Sequence, residues 1–69
     1  MSRYLVVIEG SNESFSAFAP DLPGCVAASD SVEEVERLMT EAIPLHIESL
    51  SAHGEAVPEP QAEVRFVAV

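Results

Sequence analysis

With a single cysteine, Cys25, the 69-residue chain has no disulfide framework to draw on. An unpaired thiol of this kind fits a reducing compartment and reads as a small buried hydrophobe. Lysine is missing altogether. Arg3, Arg37 and Arg65 are the only firm cations against twelve acids, a formal net charge of −9. Neutralising phosphate takes clustered Lys and Arg, so direct nucleic-acid binding is not expected, nor is an anionic membrane surface. No apolar run approaches the ~20 residues of a membrane helix, and Met1-Ser-Arg-Tyr leads straight into a strand-like run with no leader pattern. A cytoplasmic protein is the expectation.

The chemistry of catalysis is equally sparse. Three glycines leave no phosphate-binding loop. There is neither Cys-x-x-Cys nor His-Glu-x-x-His, and His46 and His53 read as a core histidine and a fraying terminal one, so no metal or other cofactor is expected. Glu9 ends a strand, Asp21 lies in a turn, Asp30 precedes a helix and the helix glutamates point outward, which is a solvated acidic surface rather than a metal cage. The serines have no base and orienter beside them in the pattern. The chain does not read as an enzyme.

What is present is a sequence of well-punctuated elements. Ser2–Glu9 (Ser-Arg-Tyr-Leu-Val-Val-Ile-Glu) is β-branched and aromatic and reads as a strand. Tyr4, Val6 and Ile8 face one way, Leu5 and Val7 the other, so both faces are apolar. Gly10-Ser-Asn-Glu13 is turn chemistry, and Ser14–Ala19 an antiparallel second strand that Pro20 ends. Pro23-Gly24 suits the central positions of a type II turn, because proline pre-sets φ and glycine takes the positive φ. Cys25–Ala28 then makes a short third strand.

Ser31 starts a helix as a capping box with Glu34. Val32, Val35, Leu38, Met39, Ala42, Ile43, His46 and Leu50 fall on one helical face, with Glu34, Glu41 and Glu48 near the opposite one. Arg37 is placed to bridge Glu33 and Glu41. Pro44 interrupts the pattern but points away from the apolar stripe, which favours one helix kinked at Pro44 over two short ones. Gly54 is the stop. Ala56–Gln61 is a proline-rich connector, and Glu63–Val69 reads as a last strand, with Val64, Phe66 and Ala68 on one side and Arg65, Val67 and Val69 on the other.

The expected architecture is a single α+β domain over residues 1–69, in the order β-β-β-α-β, with an antiparallel-rich sheet and one long helix on one face. One helix covers only one face of a sheet, so Leu5, Val7 and Val67 are candidate oligomer-interface residues on the other. A chain this short buries only about 60% of its unfolded surface, and with no disulfide available, association of copies is the remaining supplement to its core.

Phe18-Ala-Pro-Asp-Leu-Pro-Gly-Cys25, then Asp30-Ser-Val-Glu-Glu34, Glu41-Ala-Ile, His46-Ile-Glu, Leu50 and Gly54 through Val57-Pro58 and Pro60 resemble the HicB-like antitoxin family over nearly the whole chain. The resemblance implies a fold likened to a truncated ribonuclease H without its catalytic acids. It also implies a partner, a small basic HicA-type toxin that cleaves mRNA, whose charge would complement a net −9. Asp21, Leu22, Pro23 and Gly24 are the candidate partner-binding residues. Many members continue into a C-terminal DNA-binding segment that has no counterpart here. Two departures, Ser29 for a frequent glycine before the cap and Glu34-Val35 for a frequent Glu-Ala pair, do not disturb the fold. The alternative reading is a solitary homo-oligomer with a scaffold or small-molecule-binding role and no toxin.

Overall fold

The computed structural model describes residues 3–69. Three strands, β1 (Val7–Ser11), β2 (Ser14–Phe18) and β3 (Val26–Ser29), form an antiparallel sheet in the order β1-β2-β3, and a single helix α1 (Val32–Ala52) follows. The chain is thus a small α+β domain of three strands and one helix. The first strand was expected over Ser2–Glu9; it pairs later, from Val7, and Ser2 lies outside the described residues. Pairing begins only where β2 offers a partner, Val7 opposite Phe18, while the half-buried Tyr4, Leu5 and Val6 approach it unpaired.

The β1–β2 connection is tighter than the expected Gly10–Glu13 turn. Ser11 pairs with Ser14, leaving Asn12 and Glu13 as a two-residue loop with φ of 51° and 66°. Positive φ at both loop residues is the type I′ signature that matches strand twist. Gly10 is required where the hairpin closes: a Cβ on it would lie 2.1 Å from the Ser14 carbonyl oxygen. Glu13, by contrast, occupies the left-handed region with a side chain that disfavours it.

Register sorts the side chains. Ile8, Ala17 and Ala27 align across the sheet beneath the helix, while Val7, Phe18 and Val26 align on the opposite face. Ala17 and Ala19 are buried and Ala27 half-buried, small residues that let α1 sit close. The core is Ala17, Ala19, Leu22, Cys25, Val35 and Met39, and Leu22, Val35 and Met39 are fully enclosed. Enclosing one such side chain is worth about 1.5–3 kcal/mol.

One uninterrupted helix spans Pro44, which is exposed as its place opposite the apolar stripe required. Ser31 is the N-cap, in extended conformation, and its Oγ accepts from the Glu34 N–H at 3.1 Å. The reciprocal half of the capping box is not made, because the Glu34 carboxylate turns to Arg37 instead. Arg37 accordingly bridges Glu34 and Glu41, not Glu33 and Glu41; the guanidinium reaches both neighbours on its own face. At the other end Glu55 N–H donates to Leu50 C=O at 2.9 Å and Gly54 N–H to Ser51 C=O at 3.1 Å, a Schellman closure around Gly54 at φ 69°.

The expected last strand is not formed. Residues 55–69 contain no strand, and Val64, Phe66, Val67 and Val69 are exposed. A strand exists only by pairing, and no edge is engaged along this segment. Relieving the left-handed Glu13 gives a direct check of the hairpin. Glu13→Gly is expected to stabilise the domain by about 0.5–1 kcal/mol, a rise of a few degrees in the thermal midpoint; an unchanged or lower midpoint would contradict the turn assignment.

Candidate functional site

Residues 19–25, which carry the Pro-Asp-Leu-Pro-Gly run, form two consecutive turns closed on themselves. Leu22 N–H donates to Ala19 C=O and Cys25 N–H to Leu22 C=O, both at 3.0 Å, and Ala19 N–H reaches Cys25 C=O at 3.2 Å. Gly24 has φ 86°, so Pro23-Gly24 occupies the type II position expected of it. The four candidate residues have different environments. Pro23 and Gly24 are exposed and Asp21 is half-buried. Leu22 is 0% exposed, so its side chain pins the loop into the core and presents no surface to a partner. His46 of α1 stands against the turn, its Cε1 3.9 Å from where a Cβ on Gly24 would be.

Asp21 has a role that sequence alone did not suggest. Its Oδ2 accepts from the backbone N–H of Gln61 at 3.0 Å and of Ala62 at 2.9 Å. Tyr4 donates its hydroxyl to Pro58 C=O at 2.7 Å. These bonds tie the proline-rich connector across one end of the sheet, at the turn.

The helix carries an acidic outer surface. Glu33, Glu36, Glu41 and Glu48 are exposed. Arg37 is held between Glu34 and Glu41, and Arg65 by Glu63 at 3.0 Å, so two of the cations are engaged by the protein's own acids. The hydrogen bond from Arg37 holds the Glu34 carboxyl below its usual range. That small contribution to stability is present at neutral pH and fades as pH falls through the lowered value. Burial pushes the Cys25 thiol above its usual pKa, which keeps it neutral among the core side chains. Among the described residues, no three His, Cys, Asp or Glu side chains converge on a common point.

Two apolar surfaces remain. On the open sheet face, Val26 is 64% and Phe18 37% exposed, beside half-buried Leu5 and Val7. Val67 lies in the unpaired segment after the connector, also exposed. On the helix side, a groove of about 400 Å³ runs between the first strand and α1, lined by Tyr4, Val6, Ile8, Glu36, Met39, Thr40 and Ile43. The groove was not foreseen, since periodicity says which face a helix buries but not over which strand it lies.

A three-stranded sheet with one capped helix, a self-closed Pro-Gly turn and a glutamate-rich outer face defines a small acidic α+β domain. The chain belongs to the HicB-like antitoxin family of bacterial toxin–antitoxin systems, whose model matches residues 4–67. It is 37% identical over 68 residues to a UPF0150 protein of Synechocystis sp., covering 97% of this chain and 86% of that one. A UPF0150 protein of Thermoplasma acidophilum is 34% identical over 62 residues, covering 88% and 90% of the two chains. An uncharacterized 14.9 kDa protein from the rep-hol intergenic region of Haemophilus phage HP1 is 36% identical over 56 residues, 81% of this chain but 42% of the phage protein. No helix among the described residues is long and apolar enough to cross a membrane.

The Asp21 tie is open to direct examination. In Asp21→Ala the amides of Gln61 and Ala62 are expected to lose protection from hydrogen exchange, with a stability loss of about 1 kcal/mol. Asp21→Asn, which keeps an acceptor oxygen, is expected to retain most of that protection. Equal exchange in wild type and Asp21→Ala would show that the connector is held by something else.

Proposed function

We infer that this protein is an antitoxin-type inhibitor that neutralises a small basic HicA-type mRNA-cleaving toxin by direct contact, without catalysis of its own. The observation that carries the reading is the acidic outer face on a domain of antitoxin type: a net charge of −9, with glutamates along α1 exposed and two arginines internally engaged. A ribonuclease that grips RNA does so with clustered cations. An anionic surface complementary to those cations attracts the enzyme over long range and competes with RNA for the same residues. The exposed Pro23-Gly24 turn lies at the end of the sheet where the connector is tied, a rigid edge for such a contact. The apolar open face and residues 63–69 support association of copies of the chain alongside this role.

The test is titration of a purified HicA-type toxin with this protein, read both as binding and as protection of RNA from cleavage. Binding is expected to weaken by about tenfold or more between about 50 mM and 500 mM salt. Glu48→Lys is expected to weaken it at low salt while leaving the thermal midpoint nearly unchanged. Absence of binding, or binding indifferent to both salt and charge reversal, would contradict the reading.

A further inference from the structure

The helix does not lie centrally on its sheet. It packs mainly on β3 and β2 and touches β1 least. That offset leaves the groove open beside β1, walled by Val6 and Ile8 on one side and Met39, Thr40 and Ile43 on the other. β1 is also an outer strand, so its outward N–H and C=O groups have no ladder partner among the described residues. A largely apolar groove, with Glu36 and Thr40 on its wall, alongside an unpaired strand edge is the arrangement that accepts an added extended segment, main chain to main chain and alternate side chains into the groove.

Residues 63–69 have the form of that segment. Val64, Phe66 and Ala68 alternate with Arg65, Val67 and Val69, the period of a strand. The segment is unpaired, with Phe66 95% and Val67 82% exposed. Its root is fixed by the Tyr4–Pro58 bond and the two bonds to Asp21, and beyond it residues 63–69 are exposed and do not line the groove. The molecule therefore carries both an open strand edge with a groove beside it and an unpaired segment with the alternation of a strand.

We propose that residues 63–69 of one copy add as a strand to β1 of a second copy, with Phe66 entering the second copy's groove, and that the exchange is reciprocal. A two-fold dimer makes both receptors and both strands engage at once. A docked strand of this length covers on the order of 400 Å² of itself and as much of its receptor, so two reciprocal strands approach the ~1,600 Å² of a standard stable interface. The open face with Val26 then stays outside this contact. The inference deepens the self-association read above and stands apart from the toxin reading, because its readout is mass alone.

Light scattering coupled to size exclusion, at micromolar concentration and with circular dichroism of each variant, tests it. The wild type is expected at twice the 7.4 kDa chain mass. Phe66→Asp, at a position exposed in the single chain, and Thr40→Arg, on the groove wall, are each expected to give a monomer with the helical signal intact. Val26→Asp, on the open face, is expected to remain a dimer. A monomeric wild type would overturn this proposal together with the self-association reading. A dimer that survives Phe66→Asp or Thr40→Arg, or one that dissociates in Val26→Asp, would overturn strand exchange while leaving self-association standing.

Discussion

The position of one helix decides most of what this protein presents to its surroundings. α1 sits over the alanines of β2 and β3, where Ala17 and Ala27 allow close approach and Val35 and Met39 meet Leu22 and Cys25. A 69-residue chain has little apolar surface to spare. Placing the helix for the tightest core leaves β1 thinly covered, and that creates a groove on the helix side. On the opposite sheet face Val26 is exposed and Phe18 partly so, beside half-buried Leu5 and Val7. Both apolar surfaces of the molecule follow from covering a two-faced sheet with one helix.

The Pro-Asp-Leu-Pro-Gly loop makes that arrangement rigid. Leu22 enters the core, the two turns lock residues 19–25, and Asp21 ties the connector at Gln61 and Ala62. A loop carrying three such functions is structural before it is anything else. Of its residues Pro20, Pro23 and Gly24 are exposed, with His46 backing the turn. Under the antitoxin reading proposed above, the acidic helix face would supply long-range attraction and the turn a rigid edge for contact.

Local chemistry was legible in the sequence. The Pro23-Gly24 turn, the Ser31 cap, the Gly54 stop and a solvent-facing Pro44 each depend on a few neighbouring residues, and each is found in place. So is the division of the first apolar run, with Tyr4, Val6 and Ile8 toward the core. Features set by distant partners were not legible. The strand expected at 63–69 has the right alternation, but alternation states only that a segment can pair, not that an edge is engaged. Arg37 chose Glu34 over Glu33 because several acids lie within reach at helical spacing, and that choice took the Glu34 carboxylate out of the capping box. The Asp21 tie spans 40 positions in the sequence, and no pattern in the chain announces it.

The groove beside β1 and the unpaired segment at 63–69 give the account its sharpest claim, that the chain completes its sheet with a second copy. An isotope-filtered nuclear Overhauser experiment on a mixture of labelled and unlabelled chains addresses it directly. Contacts between the Phe66 ring of one chain and Ile8 and Ile43 of the other are the expected result. Contacts from Phe66 to Ile8 and Ile43 confined to the same chain, or no contacts from Phe66 at all, would contradict it.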